Sequence, residues 1–492
     1  MKHFADLIRE KRHLDLWNLC VFASGLALLA AGVLGILLAL MITRESWLLA
    51  IAIVCTVPAT ILMLRYPLAA AIVWFLLMPL LPFDTVDSRV FWIVHRALMP
   101  LGLGITILLR MFRVRRFDPV RLGWAELSMA IYLVIGAVSV VITRAKPLPY
   151  LYELYDRVLV PFVAYWLVRL YAPSERDVRR LMPIVLLICT IQFVVGFWAK
   201  YAPQSLPALW KIIRMDPTRM SGTLSNPTPY AHLLVFCMVL IFHDAMQRPR
   251  GLARTALILV FGAGLACVFL TFTRGCWIAA LLVLLGLVFL YPKPVLSLFA
   301  VAAPIVAVLS TTVFSGDVKI ALDRLVTQDT VNSRIVLANA GERMFYARPI
   351  WGWGFTNYDR YDWQFMQRVG NAAPTLWDVQ HGTSHNTYLT ILAEMGAIGF
   401  FFQFFPLFWC IYRTRQAWLR SPRHGFWSRR LLIVMWLPVL FYLVSSQVVD
   451  MRLFWFNIGL LWLNLGLLAS TAEHTDRDTA IGPSMSVQVP VG

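Results

Sequence analysis

The sequence has little charge for its length, and acidic residues are scarce in it. Only 14% of the 492 residues are charged, and 26 acidic residues stand against 44 basic ones. Soluble domains carry about 25% charged residues. A low share of charge together with 59% hydrophobic residues therefore argues against a soluble protein. The long apolar runs predict an all-α polytopic membrane protein.

The sequence also lacks the common signatures of nucleotide, metal and disulfide sites. It contains no P-loop, Rossmann fingerprint or HExxH motif. Its seven cysteines form no CxxC pair and lie in or beside apolar runs, which favours small buried hydrophobic side chains. We expect no cleavable signal peptide, because the first apolar run, 17–42, is too long for one and further spans follow.

The formal net charge of +18 would suit a nucleic-acid partner, but the placement of the basic residues does not. They cluster in short segments between apolar runs, which is the positive-inside pattern of membrane proteins. We therefore expect the lipid bilayer as a partner and no nucleic acid. The main arginine clusters lie at 110–121, 176–180, 248–254 and 413–430.

A transmembrane helix needs about 20 apolar residues, and on that rule the sequence predicts about 12–14 of them. A basic N-terminal segment, followed by alternation, places both termini in the cytoplasm and the three longer polar stretches on the outer face. Those stretches are 144–157, 199–226 and 315–385. The predicted spans are 17–42, 46–64, 67–81, 91–109, 123–143, 158–171, 181–198, 227–245, 255–273, 276–291, 294–314, 386–412, 431–448 and 453–470.

The predicted organisation is one membrane bundle with an embedded large loop, not separable domains. The transmembrane helices of 1–314 precede a large outer, periplasmic loop at 315–385, which is longer than a connector needs. Within that loop, Asn332 is a predicted N-cap for a helix over 333–346, which Pro349 ends. The C-terminal helices of 386–470 and a disordered cytoplasmic tail at 471–492 complete the chain.

A histidine stands where the large loop enters the next apolar run. His385 is followed by Asn386, and His381 lies four residues upstream. The ordinary histidine pKa of about 6.5 suits a general base that works near neutral pH. The structural alternative is a capping or interfacial histidine.

Two glycines follow this histidine in the predicted span. Gly396 lies eleven residues after His385, about three helical turns beneath it, and Gly399 follows. We interpret both as positions where another helix packs closely. Glu394 is ionisable at membrane depth, and we interpret it as structural.

Several arginines are predicted to share the outer face with His385. Arg274 interrupts an apolar stretch, Arg219 precedes another span, and Arg334 and Arg343 lie on the predicted loop helix. Taken singly, each is explained as a surface arginine paired with an acid. Together they favour a phosphate or diphosphate ligand held by charge-assisted hydrogen bonds. No metal site is predicted, since the only Asp-x-Asp pair lies in the cytoplasmic tail.

These segments resemble, in order, the O-antigen ligase and O-antigen polymerase superfamily of bacterial membrane glycosyltransferases. The motif-bearing region covers roughly residues 215–410. The matching features are the Arg219–Pro227 segment, Arg274-Gly275 at a helix end, the stretch 333–354, and His385-Asn386 followed by Gly396 and Gly399.

The resemblance implies a metal-independent inverting glycosyltransferase in the bacterial cytoplasmic membrane that needs no cofactor. Its donor would be a glycan on undecaprenyl diphosphate, and its acceptor a hydroxyl of a lipid A core or another glycan. His385 would take the acceptor proton, and the arginines would hold the departing diphosphate.

Three alternatives stay open. A polysaccharide polymerase joining lipid-linked repeats shares the motifs, and about fourteen spans exceed the roughly twelve of a ligase. A transporter without bond chemistry would tolerate His385→Ala. A structural scaffold would tolerate Arg274→Ala.

Overall fold

The computed structural model describes most of the chain beyond the first two predicted spans. It covers residues 58–81, 88–207, 218–375, 384–422 and 426–481, with Asp378, apart from gaps at 59, 115–116, 118–119, 121 and 328. The chain divides into two units, 1–66 and 67–492. Of the first unit, the described residues form one helical stretch that ends at Arg65. The predicted span 17–42 and most of 46–64 lie outside the described residues.

The described part of 67–492 is helical, with no strand beyond an isolated bridge between Val369 and Ala372. One π-helical turn, Tyr155–Leu159, joins two of its helices. The α-helices in chain order are α1 (Ala69–Leu77), α2 (Ser88–Met111), α3 (Trp124–Thr143), α4 (Leu148–Leu154), α5 (Val160–Tyr171), α6 (Glu175–Tyr201), α7 (Pro227–Gln247), α8 (Leu252–Phe269), α9 (Arg274–Leu290), α10 (Pro292–Thr311), α11 (Ser315–Val326), α12 (Asp329–Ala347), α13 (Tyr358–Tyr361), α14 (Thr387–Arg420), α15 (Arg429–Ser445) and α16 (Trp455–Ile481).

The predicted fold class, an all-α polytopic membrane protein, is confirmed. Eight described helices are long and apolar enough to cross a membrane: α2, α3, α6, α7, α8, α10, α14 and α16. Each predicted span from residue 67 onward coincides with a helix, since four more fall on the shorter helices α1, α5, α9 and α15. The count of 12–14 crossings over the whole chain stays a prediction.

The helices differ in how deeply they are buried. Helices α7 and α16 lie at the centre of the bundle, with 83% and 89% of their apolar windows buried. Helix α10 is more apolar than either, but only 6% of its window is buried. An apolar helix that few protein side chains cover is suited to contact lipid.

The large loop is folded, and it contains more helix than the sequence predicts. Helix α11 was not predicted, and α12 begins at Asp329, so Asn332 lies inside a helix instead of capping one. The predicted tail boundary is also wrong, because α16 continues through Ile481. Residues beyond 481 lie outside the described part of the chain.

The large loop contacts both of the other long polar stretches. At the end of α6, the Lys200 ammonium lies 2.9 Å from the Asp317 carboxylate of the large loop, and the Tyr201 hydroxyl donates to the same carboxylate at 2.7 Å. After α3, the Arg144 guanidinium donates to the carbonyl of Thr356. The large loop is therefore bonded both to the end of α6 and to the segment after α3.

Helix α14 is two helices joined at Gly396, and this corrects the predicted role of the glycine. Gly396 has a φ of 63°, in the left-handed region that side chains disfavour. A Cβ built there would lie 2.2 Å from the carbonyl oxygen of Ile350. The amide of Ala397 donates to the carbonyl of Pro349 at 2.8 Å. The glycine thus admits the backbone of the large loop into a break in the helix, and not a neighbouring helix.

Gly399 is not a helix-packing position either. A Cβ there would lie 2.2 Å from the Cβ of Met395, which belongs to the same helix on the other side of the break. The small side chain is required because the break brings two turns of α14 close together.

Candidate functional site

The turn that carries His385 is tightly hydrogen-bonded on both sides of that residue. The Ser384 hydroxyl donates to the Asn386 carbonyl at 2.7 Å and accepts from the Asn386 amide at 3.0 Å. The Asn386 side-chain oxygen then caps α14 by accepting from the amides of Tyr388 and Leu389 at 3.0 and 3.1 Å. His385 itself has a φ of 50°, a conformation that few non-glycine residues adopt. Such a backbone persists only where its surroundings hold it, as they do here.

The segment between α15 and α16 holds this turn from the other side. The Thr387 amide donates to the carbonyl of Ser446 at 2.9 Å, and the Thr387 hydroxyl accepts from the amide of Met451 at 2.9 Å. The Asn386 side-chain amide donates to the carbonyl of Gln447 at 3.2 Å. Asn386 is therefore a positioning residue that fixes the helix start and its neighbouring turn.

Two of the predicted arginines meet at the start of α9. Arg219 donates through Nε to the carbonyl of Thr271 at 3.0 Å and through Nη2 to the hydroxyl of Thr273. Arg274 is the first residue of α9, and its guanidinium donates to the carbonyl of Thr327 at 3.2 Å. The turn before α9 thus joins the segment after α6 to the large loop.

Arg334 joins this group from helix α12. It is half-buried, and it makes no hydrogen bond or ion pair with any other described residue. Burial, followed by the like charge of Arg274, lowers the pKa of Arg334 below its ordinary value. Arg219 and Arg334 both lie within electrostatic range of the Cys276 thiol on α9. Three guanidinium groups from separate parts of the sequence thus surround one place, and one of them has an unsatisfied charge. We refer to Arg219, Arg274 and Arg334 as the arginine cluster.

Arg334 is the member of the arginine cluster that acts on His385. Burial lowers the pKa of His385, and the positive charge of Arg334 lowers it further, while the carboxylates of Asp450 and Asp378 act in the opposite sense. The net direction is downward, so the imidazole is neutral at neutral pH. A neutral imidazole is the form that accepts a proton.

The two carboxylates near His385 are held in the charged form. Burial raises the pKa of Asp378, but hydrogen bonds from Ser333 and Thr375 outweigh it and the net direction is down. Burial also raises the pKa of Asp450, but the Arg452 guanidinium, 2.8 Å away, outweighs it. These fixed negative charges favour a positive charge on His385 once it has taken a proton.

Arg343 does not belong to the arginine cluster. It lies nine residues after Arg334 on α12, which is about 13 Å along the axis and on the opposite face of the helix. Nothing in the described part of the chain connects it to His385. Gly396 and Gly399 support the site only indirectly, through the loop that Gly396 admits.

Sequence reasoning missed Asp378, Asp450 and Arg452. Arg452 is buried and bonds Glu394 and Asp450, each at 2.8 Å. The sequence feature that could have identified two of them is a pair of opposite charges, Asp450 and Arg452, in a short segment between two predicted spans. Glu394, interpreted from the sequence as structural, is one of the two acids that neutralise this arginine.

The described residues hold no group of three or more His, Cys, Asp or Glu side chains placed to bind a metal ion. All five cysteines in the described part of the chain are free and buried, as their apolar surroundings predict. The metal-independent mechanism stays a prediction.

The fold and the site together define a polytopic helical membrane protein with a cationic site built around one histidine. Residues 256–404 match the family model described as O-antigen ligase. This match confirms the resemblance seen in the motifs, and over these residues the chain is similar to the O-antigen ligase and polymerase superfamily. The matched region includes Arg274, Arg334 and His385, whereas Arg219 precedes it. A comparison with curated proteins found no match.

Proposed function

We propose that this protein is a metal-independent inverting glycosyltransferase of the O-antigen ligase type. It transfers a glycan from undecaprenyl diphosphate to an acceptor hydroxyl, such as one on a lipid A core, at the outer face of the bacterial cytoplasmic membrane. The observation that carries the proposal is the convergence of a neutral histidine with the arginine cluster, whose member Arg334 has no protein partner among the described residues.

The arginine cluster is suited to hold the diphosphate of the donor. A guanidinium group offers a planar fork of donors that matches phosphate oxygens. Arg334 and Arg274 repel each other across a partly dry site, and an anion between them would relieve that repulsion. The same charges would stabilise the negative charge that grows on the leaving diphosphate in the transition state.

His385 would act as the general base. The acceptor hydroxyl gives its proton to the imidazole while its oxygen bonds to the anomeric carbon of the donor. The bond from that carbon to the diphosphate oxygen breaks at the same time, so the configuration inverts. The Asp378 and Asp450 carboxylates then stabilise the imidazolium that forms.

The membrane arrangement is part of the proposal. Both termini would lie in the cytoplasm, and the large loop of 315–385 would cover the outer ends of the helices in 1–314 and 386–470. The contacts among the loop, the segment after α6 and the segment after α3 support a common face for all three. A lipid-linked donor reaches such a face from within the bilayer.

The test uses purified full-length protein, an undecaprenyl-diphosphate glycan, and EDTA throughout. Two acceptors are offered separately, a lipid A core and a second lipid-linked repeat, to wild type and to His385→Ala. We expect EDTA-resistant product from wild type and a loss of about 10³-fold in the variant, in the range for removal of a general base. Transfer to the lipid A core identifies a ligase, and transfer to the repeat a polymerase. The proposal is wrong if wild type uses neither acceptor or if His385→Ala keeps full activity.

A further inference from the structure

A second polar space lies beside the His385 turn, and the mechanism above does not use it. It is a cavity of about 340 Å³ bounded by the segment from Arg144 through the π-helical turn, by the large loop near α13, and by the residues around Asp450. Specific ligand pockets are typically about 300–1,000 Å³. The space is therefore large enough for a small ligand.

The positive and negative side chains that line this cavity are equal in number. Of its thirteen lining residues, four are arginines and four are acids. The arginine cluster near His385 contributes none of them. A wall with equal numbers of positive and negative groups does not favour a second anion such as a phosphate. It suits a neutral ligand that both donates and accepts hydrogen bonds.

Several of these groups have hydrogen-bonding capacity that the described residues leave unused. The Nε atoms of Arg144 and Arg157 are buried and have no hydrogen-bond partner. Asp359, on the opposite wall, is accessible to solvent and makes no hydrogen bond or ion pair with another described residue. Two buried donors without partners and one solvent-accessible acceptor thus line a single polar space. Leaving buried polar groups unpaired is costly, so a partner that supplies both functions would be stabilised here.

The cavity is connected to His385 through three shared residues. Asp450 lines it and acts electrostatically on His385. Thr390 lines it and donates to the carbonyl of Asn386, the residue after His385, at 2.8 Å. Tyr358 lines it and donates to the carbonyl of Leu337 on α12, one turn after Arg334, at 2.6 Å. The cavity therefore borders the proposed active site on the side of Asp450.

We propose that this cavity binds a neutral sugar residue of the acceptor and presents its hydroxyl to His385. The inference rests on the proposed function and names the acceptor site of that reaction. Inversion requires the acceptor and the leaving group on opposite sides of the anomeric carbon. The arginine cluster provides the diphosphate side, and the cavity, which excludes that cluster and includes Asp450, provides the other. Asp359, Arg144 and Arg157 are the groups that select the sugar.

The ionisation of Asp359 is consistent with this role. Partial removal from water, followed by the negative charge of Glu394, raises the pKa of Asp359 to about 6. The carboxylate is charged at neutral pH and accepts hydrogen bonds from sugar hydroxyls. It becomes protonated below about pH 6, so acceptor binding should weaken there.

The experiment measures acceptor binding directly and without donor, so that it does not depend on turnover. Fluorescently labelled lipid A core oligosaccharide and a labelled lipid-linked repeat are titrated separately against full-length protein in detergent. The variants are Asp359→Asn, which keeps side-chain size, and Arg157→Gln, which removes the charge and shortens the side chain. Glu342→Gln, an exposed acid on α12, is the matched control. We expect one of the two probes to bind wild type and Glu342→Gln equally, and the two cavity variants about tenfold more weakly, as for loss of one charge-assisted hydrogen bond.

The outcomes separate this inference from the proposed function. Equal binding of the probe by wild type and both cavity variants overturns the acceptor site, even if transfer is observed. Failure of both probes to bind wild type overturns it too. In transfer assays, the cavity variants should raise the KM for the acceptor about tenfold and leave the KM for the donor within twofold. A raised donor KM would assign the cavity to the donor instead. Absence of any transfer by wild type that still binds the probe counts against the proposed function alone.

Discussion

Two arginines near the His385 turn, one buried and one half-buried, differ completely in their surroundings. Arg452 bonds two carboxylates, Glu394 and Asp450, and so its charge is neutralised within the fold. Arg334 is half-buried beside another arginine and bonds none of the described residues. A charge that is paired inside the fold links the segments that pair it. A charge that is partly removed from water without a partner is unfavourable, and a ligand of opposite charge would stabilise it. The first region is a clasp between α14 and the segment that precedes α16, and the second is the candidate diphosphate site.

The largest expected effect comes from breaking the clasp. Arg452→Met leaves two buried carboxylates without a cation, which destabilises a protein by about 3–5 kcal/mol. We expect a large fall in Tm for the detergent-solubilised protein, measured by intrinsic fluorescence. Arg334→Met, which removes no protein partner, should leave Tm within a few degrees. Equal losses of Tm in the two variants would contradict the distinction between these arginines.

The second prediction tests whether Arg334, the arginine without a protein partner among the described residues, contributes to catalysis. Arg334→Gln should lower kcat about 10²-fold, because it removes a charge that stabilises the leaving diphosphate. Arg343→Gln on the opposite face of the same helix is the matched control, and it should keep kcat within twofold. Both are measured in the glycan-transfer assay at saturating donor. An equal loss from Arg343→Gln would show that the loss does not depend on the position of Arg334 in the arginine cluster.

A smaller effect is expected from placing a side chain at the break in α14. Gly396→Ala places a side chain in the left-handed region and against the carbonyl of Ile350, at a cost of roughly 1–3 kcal/mol. We expect a lower Tm and faster proteolysis of the large loop, since the loop backbone would no longer fit. Gly104→Ala, where a new Cβ meets no atom within 4 Å, should be neutral or slightly stabilising. Unchanged proteolysis of Gly396→Ala would mean that the loop does not depend on this contact.

The smallest effect is a shift in the pH profile. The active form of His385 is neutral, so activity should fall as the pH drops through a pKa that burial and Arg334 place below the ordinary histidine value. Arg334→Gln removes one of those two causes and should raise that pKa. The acid limb of kcat against pH should then move to higher pH by a fraction of a unit. A shift to lower pH would mean that Arg334 does not act on His385.

The helices were predictable from the sequence because the signal that defines them is local. A run of apolar residues long enough to cross a bilayer forms a helix wherever it packs, since lipid leaves no other way to satisfy its backbone. Helix α14 shows the limit of that reasoning. Its start near Asn386 could be predicted, but its break at Gly396 could not, because the cause is the backbone of Pro349 and Ile350 entering from the large loop.

The candidate site also has a part that the sequence predicts and a part that only the structure shows. The residue types were identifiable from the sequence, because a histidine and arginines stand out in an apolar chain and their order matches a known family. Which arginines share a site was decided by tertiary structure. Arg334 and Arg343 look equivalent along the sequence, and only the direction in which α12 packs separates them.

By itself, then, the sequence of this protein determined its class, its spans from residue 67 onward and the candidate chemistry of its site. The tertiary structure alone decided which charges are paired. Arg452 is neutralised by an acid 58 residues away in the chain, and Arg334 is not neutralised at all by the residues described. The physical reason is that the hydropathy of a segment depends only on its own residues and the solvent around them. Whether a buried charge is paired depends on which residues from distant parts of the sequence pack beside it.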